Sequence, residues 1–227
     1  PICPDTQNIA EQDIRPEPRI STNVPVTKFV QCDIAPLQSY ESSGSELLAT
    51  PMAPDFENVR RHILIRLAEE LSPNLTYHSL FHTRDDVLPA AARLGRAARL
   101  PAADCLLLET AALFHDTGFL LSYDDHEEHS VLVARATLPR FGYAGDQVEA
   151  ISTLIRATKM PQRPRGLLQE LLCDADLDLL GRADFIELNR KLLQEIVHYT
   201  GHSFTIYSWL TGQSKFLEDH HFFTAPA

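Results

Sequence analysis

The chain has 227 residues, of which 44% are hydrophobic and 22% charged, with a formal net charge of −11. This composition is ordinary for a globular protein, but the acidic balance argues against binding to a nucleic-acid duplex or an anionic membrane, since both need a basic face. The four cysteines form no C-x-x-C pair, and no signal peptide or membrane-spanning run is visible. We therefore expect a cytoplasmic protein with reduced cysteines.

Residues 1–53 are rich in Pro, Ser, Thr and Asn and show no sustained hydrophobic period. This pattern predicts an extended, largely irregular arm or linker, followed by one domain over residues 54–227. From Pro54 onward apolar residues recur at helical spacing, and no alternating run bounded by turn residues competes with them. The expected class is all-α, with helices in eight segments: 54–72, 81–100, 101–116, 126–141, 144–158, 165–173, 182–199 and 204–221. Pro89, inside the second segment, predicts a kink.

Histidines and acids interrupt these apolar stretches at three places. His78 and His82 lie four residues apart in "YHSLFHT", and His115 and Asp116 end the apolar run "CLLLETAALFHD". Three further acids stand among leucines in "LLCDADLDLLG", namely Asp174, Asp176 and Asp178. Buried charges are costly unless they are paired or bound to a metal. The pattern therefore predicts a cation near at least one of these acids.

In chain order, the motifs "YHSLFHT", "ALFHDTGF", "HEEHS" and "CDADLDLLG" resemble the HD-domain superfamily of metal-dependent phosphohydrolases over residues 55 to 224. The resemblance implies an all-helical bundle that holds one divalent transition metal ion. Its four ligands would be His82, His115, Asp116 and Asp176. Two imidazoles and two carboxylates suit Mn, Fe, Co, Ni or Zn. We expect His78 to lie behind the metal ligands or to cap its helix rather than to bind the metal.

Some members of the superfamily hold two metals through two further histidines. His126 in "HEEHS" matches one of these positions, but Ala157 in "LIRATKMP" stands at the other. A methyl group cannot ligate a metal. The departure therefore favours a one-metal hydrolase over the di-iron oxygenases among the relatives.

Candidate proton carriers lie in "DDHEEHS", because "HDTGFLL" lacks the Glu that many relatives have after the doublet. Glu127 can take that role, and His126 and His129 are alternative carriers near neutral pH. The helix dipole alone also favours acids in a first turn. The predicted catalytic residues are Asp116, His126 and Glu127.

The stretch "RATKMPQRPR", residues 156 to 165, contains four basic residues and no acid. Lysine and arginine both bind phosphate, whereas arginines near prolines commonly lie in solvated loops. We predict that Lys159, Arg156 and His129 bind the substrate, with Lys159 the strongest candidate.

The leading hypothesis is a metal-dependent phosphohydrolase, a phosphomonoesterase or phosphodiesterase, that acts on a small phosphorylated molecule, most plausibly a nucleotide. The alternatives are a regulatory module that binds metal and nucleotide with little turnover and, ranked last, a di-iron oxygenase.

Overall fold

The computed structural model describes residues 53–225 and 227, so the predicted arm falls outside the described residues except for Ala53. The described part contains eight α-helices and no strand, which confirms the predicted all-α class. The helices are α1 (Phe56–Glu70), α2 (Leu88–Ala97), α3 (Ala102–Phe114), α4 (His126–Thr137), α5 (Gly145–Ala157), α6 (Leu167–Asp176), α7 (Phe185–Thr200) and α8 (Ile206–Asp219). None of them is long and apolar enough to cross a bilayer.

Helix α3 is at the centre of the bundle and packs against α1, α2, α5 and α6. Its buried face includes Leu108, Ala111 and Ala112, and these small alanines let neighbouring helices approach closely. A second, smaller apolar cluster forms around Tyr77, Leu179 and Leu188. Helix α3 ends within the core, so the residues that follow it, His115 and Asp116, are buried as well.

The bounds of every predicted helix shift by a few residues, and three of the shifts have a structural reason. The segment 81–100 begins with a π turn, His82–Val87, before α2 starts at Leu88. The π turn lies directly before Pro89, the second residue of α2, which is where a proline ring disfavours an ordinary helical turn. Helix α4 ends at Thr137 and continues as a 3₁₀ turn that contains Pro139. Helix α6 runs beyond its predicted end, to Asp176.

Asp174, near the end of α6, holds the C-terminal segment. Its carboxylate accepts hydrogen bonds from the backbone N–H groups of Phe223 and Thr224 at 2.8 and 2.9 Å, and from the Thr224 hydroxyl at 2.6 Å. The side chain is buried, so these donors replace the water that the charge has lost. Asp174 therefore serves the fold without a metal.

Gly118 allows the 3₁₀ turn Thr117–Leu120 to lie directly on the first turn of α4. A Cβ atom at this position would lie 1.8 Å from the carbonyl oxygen of His126 and 2.7 Å from the backbone nitrogen of Ser130. The Gly118 N–H donates to Ser130 Oγ at 2.7 Å, and that hydroxyl donates to the His115 carbonyl at 2.6 Å. The close approach thus joins His115 to the start of α4.

Gly118→Ala should lower the free energy of unfolding by at least about 2 kcal/mol, because both atoms in the way belong to the backbone and cannot rotate aside. Gly145→Ala is the matched control, since a Cβ there meets nothing within 4 Å. It should change stability by less than about 0.5 kcal/mol. Urea denaturation measures both, and equal stability of the two variants would contradict the proposed packing.

Candidate metal centre and adjoining pocket

Four side chains predicted to bind a metal converge at one buried point. His82 comes from the π turn, His115 and Asp116 follow α3, and Asp176 ends α6. His115 Nε2 lies 3.2 Å from Asp116 Oδ2 and 3.4 Å from Asp176 Oδ1. His82 Nε2 lies 3.6 Å from Asp116 Oδ2 and 3.3 Å from Asp176 Oδ1. The structure therefore brings together residues as far as 94 positions apart in the chain.

Ligand atoms of His82, His115 and Asp176 all lie within 4.8 Å of one another, as they would around a single metal ion, and Asp116 adjoins this group through its contacts with the two histidines. Ligand atoms that each lie about 2.1 Å from one ion are about 3.0 to 3.4 Å from their neighbours, close to the observed spacing. His115 Nε2 and Asp116 Oδ2 are fully buried and have no hydrogen-bond partner among the residues that the structure describes. An ion at their common centre would satisfy both atoms, which otherwise carry an uncompensated desolvation cost.

A hydrogen bond orients the His115 imidazole, and a buried carboxylate lies near that of His82. His115 Nδ1–H donates to the Ala112 carbonyl at 2.8 Å, which directs the Nε2 lone pair toward the carboxylates. His82 Nδ1 lies 3.8 Å from Asp86 Oδ2, and the same Asp86 carboxylate accepts a hydrogen bond from Arg182. Asp86 is buried and was not predicted as a site residue. Its signal in the sequence is its place four residues after His82.

The electrostatics also favour a cation. Burial opposes a charged imidazolium at His82, but the nearby carboxylates of Asp176 and Asp86 outweigh it and raise the pKa of His82 to about 9. Burial would raise the pKa values of Asp116 and Asp176, yet the nearby histidines hold both below the usual range. The carboxylates thus stay charged, and a divalent ion can replace the protons that the imidazoles would otherwise carry.

A pocket of about 510 Å³ adjoins this centre, and both Asp116 and Asp176 line it. The predicted catalytic residues meet there. His126 Nε2 lies 3.5 Å from Asp116 Oδ1 and 3.6 Å from Glu127 Oε1. The His126 ring also stacks on Phe119 at 4.1 Å between centroids, and burial lowers its pKa.

The three predicted substrate contacts are placed differently. Lys159 lines the pocket, and its ammonium group lies 2.6 Å from Asp125 Oδ1. Arg156 and His129 lie outside the lining. Arg156 forms two hydrogen bonds with Glu128, at 2.7 and 3.0 Å, and His129 Nδ1–H donates to the Asp125 carbonyl at 3.1 Å. The structure thus brings Lys159 to the site, whereas the other two side chains are engaged in surface contacts.

Sequence reasoning missed a buried carboxylate beside the pocket. Glu195 in α7 is fully buried and accepts hydrogen bonds from the backbone N–H groups of Tyr77 and His78, at 2.9 and 3.0 Å. Its other oxygen contacts His78 Nδ1, and the His78 ring lines the pocket. One signal was available, since Glu195 continues the spacing of Leu188 and Leu192 and so places a charge on an apolar face.

The remaining positions have structural explanations. Asp178, the third acid of "CDADLDLLG", pairs with Arg93 at the surface. Ala157 is buried, and its carbonyl accepts a hydrogen bond from the Cys173 thiol at 3.2 Å. Of the three acids in that motif, Asp176 alone faces the two histidines of the candidate centre.

The chain was also compared with known proteins. No family model matches it, and no curated protein does. It is similar to a solved structure described as a predicted HD superfamily hydrolase from an uncultured Thermotogales bacterium, with 21% identity and a TM-score of 0.49. The likeness covers 72% of this chain and 86% of the other. The assignment of the metal centre rests on the geometry of its own side chains.

His115→Ala should abolish metal binding, because it removes one of four ligands at a centre with no spare donor at that position. Excess Mn²⁺ should raise the melting temperature of the wild-type protein, since binding to the folded state stabilises it, and should not raise that of the variant. Elemental analysis and thermal melts measure the two effects. His129→Ala is the control and should keep its metal. Wild-type metal content in His115→Ala would rule out this site.

Proposed function

We propose that the protein is a one-metal phosphohydrolase that cleaves a phosphate ester of a small molecule bound in the 510 Å³ pocket. The observation that carries the proposal is the group of His82, His115 and Asp176, whose ligand atoms all lie within 4.8 Å of one another, with Asp116 Oδ2 lying 3.2 Å from His115 Nε2. Asp116 and Asp176 also line the pocket. A substrate in the pocket would therefore lie next to the ion.

The ion would be held by His82, His115, Asp116 and Asp176. Once bound, a divalent ion polarises a phosphoryl oxygen and lowers the pKa of water. The donor set of two imidazoles and two carboxylates favours Mn, Fe, Co, Ni or Zn.

We assign to His126 and Glu127 the removal of a proton from the attacking water. His126 Nε2 lies between Asp116 Oδ1 and Glu127 Oε1, at 3.5 and 3.6 Å. A water molecule near these atoms would have a carboxylate and an imidazole as proton acceptors. Glu127 is buried, so its carboxylate stays within the site rather than turning toward bulk water.

We assign to His78 the donation of a proton to the leaving group. Glu195 occupies His78 Nδ1, which leaves Nε2 as the nitrogen that can exchange a proton with a group in the pocket. The ring is further fixed by stacking on Phe119 at 4.7 Å between centroids. The Glu195–His78 pair therefore has the two parts of a proton donor, a positioned imidazole and a buried carboxylate that orients it.

We propose Lys159 as a contact for the substrate phosphate at the mouth of the pocket. Its ammonium group is half-exposed and bound to Asp125, so a phosphate can compete for it. The size of the pocket suits a small molecule such as a nucleoside monophosphate. Regulatory binding without turnover is the alternative that the experiment below separates from hydrolysis.

The purified chain loaded with Mn²⁺ should release phosphate from small phosphate esters. A protein that only binds them would show a raised melting temperature without phosphate release. His78→Asn should lower kcat by about 10²- to 10⁴-fold on an alkyl phosphate. The substitution should lower kcat far less on 4-nitrophenyl phosphate, because that leaving group departs as a stable anion and needs no proton.

Phosphate release and metal content should be measured on the same samples. His198→Asn, at an exposed position of α7, is the matched control and should behave as the wild type. Equal losses on both substrates in His78→Asn would contradict the role of proton donor, and metal loss in that variant would assign His78 to the metal centre instead.

A further inference from the structure

The pocket has two chemically different parts. Near the candidate metal centre its lining is acidic, whereas the final third of the chain contributes an apolar part. The apolar residues come from the 3₁₀ turn Asp178–Gly181 and from α7 and α8; they are Leu179, Leu180, Phe185, Leu192 and Phe216. The apolar part favours a substrate with an apolar body, because polar groups buried there would lose water without replacement.

The charges of the pocket lining limit the number of phosphate groups that a bound substrate can carry. Five carboxylates line the pocket, namely those of Asp116, Asp124, Asp125, Glu127 and Asp176, against one ammonium group, Lys159. Asp125 already pairs with that ammonium group. One phosphate can be matched by a divalent ion, but each further phosphate would face carboxylates.

One polar group of the apolar part has a fixed orientation. The indole Nε1–H of Trp209 donates to Asn189 Oδ1 at 2.6 Å, and an indole nitrogen can only donate. Asn189 must therefore present its amino group on the other side, where Nδ2 donates to Gln213 Oε1 at 2.6 Å. Trp209 and Asn189 are both buried, so water does not compete for these bonds.

This chain of hydrogen bonds determines what Gln213 offers a ligand. Its oxygen is engaged by Asn189, and within the described part of the chain its Nε2 amino group donates to no other group, so Nε2 can donate to a ligand. Both Asn189 and Gln213 line the pocket. Among apolar neighbours, a single oriented donor selects for an acceptor on the ligand, because an unmatched donor would lose hydrogen bonding with water.

We infer that the substrate carries a single phosphate ester on an uncharged, largely apolar body with a hydrogen-bond acceptor that meets Gln213 Nε2. The inference rests on the proposed phosphohydrolase function and narrows its substrate. In the reaction the ester P–O bond breaks, water supplies the new oxygen on phosphorus, and a proton ends on the leaving alcohol or phenol.

Two aryl phosphates of matched shape test the acceptor. 4-(2-Oxopropyl)phenyl phosphate carries a carbonyl that 4-isobutylphenyl phosphate lacks, and a methylene group separates that carbonyl from the ring, so the leaving groups stay similar. For the Mn²⁺-loaded wild-type chain, kcat/KM should be about three- to tenfold higher for the oxo compound, as expected for one hydrogen bond. Glucose 6-phosphate and ATP should both be at least about tenfold poorer than the oxo compound, because of a polar body and a polyphosphate respectively.

Three variants identify the origin of the preference. Gln213→Leu should bring the ratio of the two aryl phosphates to about one, whereas Gln194→Leu, at an exposed position of α7, should leave the ratio unchanged. Asn189→Asp keeps an acceptor for Trp209 but offers only oxygens to Gln213, which must then turn its amino group away from the ligand. The preference for the oxo compound should disappear there although Gln213 is still present.

The outcomes separate the two levels of the proposal. Phosphate release with a ratio near one in the wild type, or with ATP or glucose 6-phosphate preferred, would overturn the substrate class and leave the phosphohydrolase in place. A wild-type ratio that persists in Gln213→Leu would overturn the assignment of the acceptor contact. No release from any of the four compounds by the metal-loaded chain would overturn the hydrolase and, with it, the substrate class.

Discussion

The structure depends on the burial of two carboxylates and two imidazoles at one point between helices. Charges removed from water without compensation cost several kcal/mol each, so this arrangement favours positive charge at its centre, whether from protons on the imidazoles or from a metal ion. The surrounding features serve to hold it. The π turn His82–Val87 brings His82 inward, Gly118 lets α4 approach His115, and α6 ends at Asp176. The metal centre and the helix packing are therefore one constraint.

The parts that sequence reasoning predicted are those with a local signature. Helical periodicity was sufficient for the all-α class. The four residues predicted as metal ligands, which the fold brings close together, lie in short motifs whose spacing is visible without a fold. The segment around Pro89 shows the limit of such local predictions. A proline predicts an irregularity, but not that it takes the form of a π turn on the preceding side. Likewise, three acids in "CDADLDLLG" require compensation, but Asp174 and Asp178 obtain it from Thr224 and Arg93, which are 50 and 85 residues away.

The parts that could not be predicted are pairs formed across the chain. Glu195 acts on His78 from 117 residues away, and Trp209 fixes Asn189 only because α8 meets α7 at that point. Neither pair leaves more in the sequence than one polar residue on an apolar face. The basic residues were misleading in the opposite way. The stretch "RATKMPQRPR" resembles a phosphate-binding stretch, but its Arg156 is paired with Glu128. Local charge predicts what a residue can bind, but packing decides what it meets.

The tether between Asp174 and the backbone of Phe223 and Thr224 links the integrity of the C-terminal segment to the candidate metal centre, since Asp174 lies half a helical turn before Asp176. Proteolytic trimming before Phe222 would strip a buried carboxylate of all three of its donors and loosen the helix end that carries a metal ligand. A preparation clipped there would weaken the candidate metal centre in proportion to the clipped fraction, while every side chain of that centre is still present. Intact mass is accordingly the first property to check in any preparation that binds metal poorly.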